Sequence, residues 1–140
     1  SPMLNGTVYF DTLKQAAGVL NLSLSNHDYL YSSDRMAHAM GNGCLTYIDR
    51  HTGFGDLFGE DEAGFFSSAE ELIEQIERSR KFPAERAKTA ERGWRHYHAL
   101  FNETAVAGYV AALLGGNFNA ADYPFPTLLQ AETGAAETSA

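Results

Sequence analysis

The sequence predicts an α/β fold, a small parallel sheet covered on both faces in a three-layer αβα arrangement. Three observations predict it. Short β-prone runs alternate with helix-periodic stretches, the pattern of strands joined by right-handed crossovers. Glycines punctuate the ends of the helical stretches at Gly18, Gly41 and Gly43, and Gly115-Gly116. Ser68 and Glu71 stand at capping-box spacing ahead of an apolar helical face.

Taken in order, Thr7–Phe10 reads as a short β-prone run, and Asp11 as the cap of a helix carrying Leu13, Ala16 and Ala17 that Gly18 ends. Val19–Leu24 alternates apolar and polar residues as a strand does. A polar, aromatic connection over Asn26–Tyr31 leads to a helix from about Asp34 to Met40, with Ser33 as cap. Leu45–Ile48 is the next strand, and Asp49–Glu62 reads as a loop rich in glycine and acid. Ala63–Phe66 is a buried strand, followed by a helix from Ser68 to about Arg80 with the face Leu72, Ile73, Ile76. Phe82-Pro83 restarts the chain into a helix reaching about Leu100, since proline suits a first helical turn. Asn102 caps a last helix bearing Val106, Tyr109, Val110, Leu113 and Leu114. Trp94, Tyr97 and Phe101 form a stripe expected in the core, whereas His96 and His98, two apart, point to different faces and make no metal pair.

Composition narrows the function classes. The net charge of -8 argues against nucleic acid as a partner, because such binding rests on clustered Lys and Arg. No apolar run reaches the length of a transmembrane segment, and no basic-then-apolar leader opens the sequence. The lone Cys44, at the start of an apolar strand, reads as a small buried hydrophobe and fits a reducing compartment. The expected location is cytoplasmic, either free or peripheral to the inner membrane. Residues 1–3 read as a remnant of cloning, and residues 117–140 as a loosely docked or disordered tail.

The stretch Tyr31–Ile48 holds the candidate site. Ser32, Ser33, Asp34 and Arg35 fall at a helix entrance, which in a parallel α/β sheet lies at the carboxyl edge of the strands where ligands bind. Unpaired amides there suit an anionic group such as a diphosphate, and Arg35 adds a fork of donors. His38, one turn on, shares that helical face. The same letters also serve as an ordinary cap and a surface ion pair. The glycine-rich Thr52–Gly59 segment lacks the context of a dinucleotide fingerprint, because its glycines do not open a helix directly after a strand.

The order and spacing of NGTVYFDTLKQAAGVLNLSL, SDRMAHAMGNGCLTYID, AGFFSSAEELIEQIERSRKFPAERAKTAERGWR and FNETAVAGYVAALL resemble the C-terminal part of a group 1 glycosyltransferase of the GT-B fold. The match is close to the CgeB-like branch, and the resemblance runs from about Leu4 to Leu114. It implies a partial Rossmann-like domain over residues 4–116 that binds a nucleotide-sugar donor as substrate, without a cofactor or an obligatory metal. Ser33 and Asp34 match the diphosphate turn, Arg35 a frequent arginine and Gly43 the glycine before the buried strand. His38 stands where the family carries the ribose-binding glutamate, and Leu30 where retaining members carry a second glutamate. An imidazole cannot offer a carboxylate's paired acceptance of vicinal hydroxyls, and leucine offers none.

The resemblance further implies an N-terminal acceptor domain belonging to a longer parent protein. A half-sheet with an uncovered edge strand tends to recruit another chain, so a homodimer through that edge is expected. No residue is marked as catalytic. The alternative is a non-catalytic interaction module that keeps the α/β scaffold.

Overall fold

The computed structural model describes residues 6–22, 28–31 and 33–123. It is an α/β structure built on three parallel strands, β1 (Val19–Asn21), β2 (Thr46–Asp49) and β3 (Gly64–Phe66), in the order β1-β2-β3. The register sets Val19 beside Thr46 and Asn21 beside Ile48, then Tyr47 beside Gly64 and Ile48 beside Phe65. The described helices are α1 (Gly6–Gln15), α2 (Asp34–Met40), α3 (Ala69–Lys81), α4 (Pro83–Phe101) and α5 (Glu103–Gly115).

Side chains alternate across the sheet, and each face finds a helix. On one face Ile48 and Phe65 pack with Met36 and Met40 of α2 and with Phe54, Leu57 and Phe58. On the other, Leu45, Tyr47 and Phe66 meet Leu72 of α3. The long α4 serves both: Ala90 joins the second cluster, while Tyr97, Leu100 and Phe101 pack against the first. The arrangement is Rossmann-like, with parallel strands and helices on both faces.

Local chemistry explains several boundaries. The Ser68 hydroxyl accepts from the Glu71 amide at 3.1 Å, and the Glu71 carboxylate accepts from the Ser67 amide at 2.8 Å, closing both orphan donors at the start of α3. Asn102 caps α5 by accepting from the Ala105 amide at 2.9 Å, and Gly116 ends it at φ 71°. Cys44 is buried, and its thiol donates to the Leu13 carbonyl at 3.4 Å.

Four expectations are corrected. Thr7–Phe10 is not a strand but the first half of α1, which begins at Gly6. With no neighbouring strand to pair with among the described residues, its β propensity yields to local helical bonding, and Asp11 lies inside the helix, paired with Lys14 at 3.2 Å. The apolar face of α3 is only partly used, because Ile73 remains 60% exposed. The Asp49–Glu62 connection is ordered by two 3-10 turns, Arg50–Thr52 and Phe54–Asp56, which bury Thr52 and Phe54. Trp94 is also more exposed than a core stripe implies, although its indole N–H donates to the Gly41 carbonyl at 3.2 Å. The end of the Val19–Leu24 run, part of Asn26–Tyr31, Ser32 and the tail from residue 124 lie outside the described residues.

Candidate functional site

In a parallel sheet the strand ends open onto one edge, here marked by Asn21, Asp49 and Phe66. Ser33 occupies the N-cap of α2 with extended backbone (φ -96°, ψ 169°), and its side chain makes no capping bond. Asp34 is exposed in the first turn. Arg35 donates from Nη1 to the Leu22 carbonyl at 2.6 Å, tying α2 to the residue that leaves β1. That bond uses one of five guanidinium N–H groups and fixes the fork beside the strand end.

The other two predicted residues sit apart from this turn. His38 is half-buried, with its ring edge-on to Tyr9 and Phe10 of α1, both at 5.4 Å between centroids. Gly43 lies beyond the far end of α2, at φ 75°, in the turn that feeds β2. Its service is to the backbone, since few other residues accept that conformation. The structure therefore places Ser33, Asp34 and Arg35 together at the strand edge, sets His38 against α1, and leaves Gly43 a helix length away.

Three features of this edge escape a reading of the sequence. The first is Asn21, 2% exposed at the end of β1, whose Nδ2 has no hydrogen-bond partner among the described residues. Register puts it beside Ile48, on the face that α2 covers. In the run VLNLSL it passes for the solvent-side polar residue of an alternating strand. A buried amide left unpaired costs about 1–3 kcal/mol.

The second is a clasp between the loops that follow β1 and β2. The Tyr29 hydroxyl donates to Asp56 Oδ2 at 2.7 Å, and the Leu30 amide donates to the Thr52 carbonyl at 2.8 Å. Leu30 takes φ 55°, rare for a branched side chain, and its side chain packs against the Met36–Phe65 core. The Tyr29 ring lies directly on Gly53, which is at φ 80°. The bond to Asp56 pushes the Tyr29 hydroxyl above its ordinary pKa. The glycines of this loop thus admit a ring and a turn.

The third is Asp49 with His51. Asp49 accepts from the His51 amide at 2.9 Å and from His51 Nδ1 at 2.7 Å. An ionised carboxylate only accepts, so Nδ1 carries the proton and a neutral ring presents Nε2 as its basic nitrogen. His51 is exposed, which leaves that nitrogen open to solvent. Nearby, Arg50 binds Glu60 and reaches Glu71 at 3.6 Å, holding the Glu60 carboxyl below its usual range. Among the described residues, no group of three His, Cys, Asp or Glu side chains is arranged to hold a metal, and no helix is long and apolar enough to cross a membrane.

Comparisons with curated proteins and with solved structures gave no match. Residues 2–110 match the glycosyl transferase-like family. That span takes in α1, all three strands, the clasped loops, both long crossing helices and the first half of α5. The chain belongs to the glycosyl transferase-like family.

Proposed function

We propose that this chain supplies the nucleotide-sugar site of a glycosyltransferase, within the CgeB-like branch of group 1, and that the β1–α2 turn receives the donor diphosphate. The observation that carries this reading is the Asn21 amide at the end of β1, unpaired among the described residues and on the same edge as Arg35. A diphosphate offers acceptors to both: the spare guanidinium donors of Arg35 and the buried Nδ2 of Asn21.

In the reaction the bond from the anomeric carbon to the diphosphate oxygen breaks, and an acceptor hydroxyl oxygen bonds to that carbon. Negative charge builds on the departing diphosphate, which donors fixed beforehand stabilise without reorganising. The acceptor proton must also leave, and His51, oriented by Asp49 on the same edge, presents a basic nitrogen for it. His38, in its aromatic setting, offers one hydrogen bond toward the ribose. The rest of the acceptor site belongs to a further domain of the parent protein.

Titration with UDP, GDP and ADP, followed by amide resonances, tests the reading. Saturable shifts confined to residues 19–22, 33–43 and 49–56 are expected with one nucleotide. Undisturbed resonances there with all three would overturn it.

A second reading, a non-catalytic interaction module, draws support from α5, where Val106, Val110 and Leu114 are 49%, 47% and 85% exposed. A helix apolar on all sides is normally covered. A parent protein that binds a partner through this face and binds no nucleotide would favour it.

A further inference from the structure

A groove of about 580 Å³ lies between α3, α4 and the outer side of β3, away from the β1–α2 turn. Its size suits a small organic molecule. Phe82 gives it apolar surface above the buried Ala63, Gly64 and Phe65, and Gln75, Ser79, Arg86 and Thr89 line it with polar groups.

The charges in this groove are unevenly matched. Arg50, Arg78 and Arg92 also line it, and each is held by a carboxylate: Arg50 by Glu60 and Glu71, Arg78 by Glu85 at 3.2 Å and Arg92 by Asp61 at 3.0 Å. Arg86 and Lys88 are not, and their side chains make no ion pair among the described residues. Arg86 is half-buried on α4, where a guanidinium without a counter-charge is costly.

Two hydroxyls add to the set. Ser79 on α3 and Thr89 on α4 are both half-buried, line the groove, and make no side-chain hydrogen bond among the described residues. By contrast, Thr12 spends its hydroxyl on the Val8 carbonyl one turn back. Arg86 and Thr89 are one turn apart on α4 and share a face. Meanwhile Gln75 already donates to the Phe65 carbonyl, so the outer edge of β3 is occupied and does not invite a strand.

We infer that this groove is a second ligand site, which takes a small organic oxyanion with an apolar body. Its carboxylate or phosphate would meet Arg86, Ser79 and Thr89, and its body the exposed Phe82 ring. A phosphate monoester and a carboxylate share that chemistry, and the two are separable by experiment.

The test titrates the full chain with phenyl phosphate, benzoate and inorganic phosphate, reading amide and Arg Nε resonances. Saturable shifts are expected at residues 63–65, 75–82 and 86–92, with phenyl phosphate or benzoate tighter than inorganic phosphate; whichever of the two binds tighter identifies the oxyanion. Arg86→Gln should weaken the tighter probe about tenfold, the scale of a lost charge-assisted hydrogen bond, and Ser79→Ala should weaken it by a smaller factor. Both variants should keep the dispersed amide spectrum of the parent. No saturable shift in the groove, or equal affinity in folded Arg86→Gln, would overturn the inference. Because shifts at residues 33–43 report the donor turn, the two sites succeed or fail separately.

Discussion

The Tyr29 hydroxyl donates to Asp56 at 2.7 Å, joining the loop that leaves β1 to the loop that leaves β2 across the carboxyl edge of the sheet. The clasp holds the segment entering α2, and with it Arg35, in one place. Tyr29→Phe should leave the fold intact and speed hydrogen exchange of the Leu30 amide, whose bond to Thr52 lies under the clasp. Because the bond raises the Tyr29 pKa, its stabilisation is whole below the ordinary tyrosine value of about 10 and disappears as pH rises through the folded value. Exchange in Tyr29→Phe should lack that alkaline transition.

Gly53 is the most sensitive glycine of this edge. Its φ of 80° excludes most side chains, and a Cβ would meet the Tyr29 ring. Gly53→Ala should destabilise by about 1–3 kcal/mol, since strain and clash add. Gly55→Ala, where a Cβ finds open space, should cost less than about 1 kcal/mol. Thermal unfolding of the pair checks both.

Asn21 sets stability against binding. Replacing it with leucine removes an unpaired buried amide and should raise stability by about 1 kcal/mol in the absence of nucleotide. The same change should weaken nucleotide binding about tenfold or more. Urea melts and calorimetric titration of one variant measure both signs.

The two edges of the sheet differ. Gln75 and Arg50 donate to the Phe65 carbonyl of β3, while β1 has no strand on its outer side among the described residues, and Leu20 and Leu22 are 37% and 55% exposed. We expect a dimer formed through β1. Light scattering should show it, and Leu22→Lys should shift it toward monomer, as charge on an edge blocks pairing.

Arg50 lowers the Glu60 pKa, so that pair stabilises the fold above the ordinary glutamate value of about 4.3 and is lost as pH falls through the folded value. Glu60 is 68% exposed, which limits the contribution to less than about 1 kcal/mol. Stability of Glu60→Gln should therefore fall less steeply than that of the parent between about pH 5 and pH 3.

The sheet was readable because each strand is a short run with a glycine ahead of it or a cap after it, and the Ser68–Glu71 and Asn102 caps mark helix starts locally. Thr7–Phe10 misled because β propensity needs a neighbouring strand, and sequence does not show whether one is there. Ser33, Asp34 and Arg35 were visible as a helix entrance. Asn21, Tyr29–Asp56 and Asp49–His51 were not: each gains its meaning from a partner, or the want of one, across the sheet edge. The exposure of Ile73 and of α5 likewise depends on what packs beside them, which periodicity alone leaves open.

The most direct test is calorimetric titration of the chain and of Arg35→Gln with UDP, GDP and ADP. Saturable binding of one nucleotide by the parent is expected, weakened about tenfold or more in a variant that melts at the same temperature. Equal affinity in the two proteins, or no binding of any of the three by the parent, would contradict it.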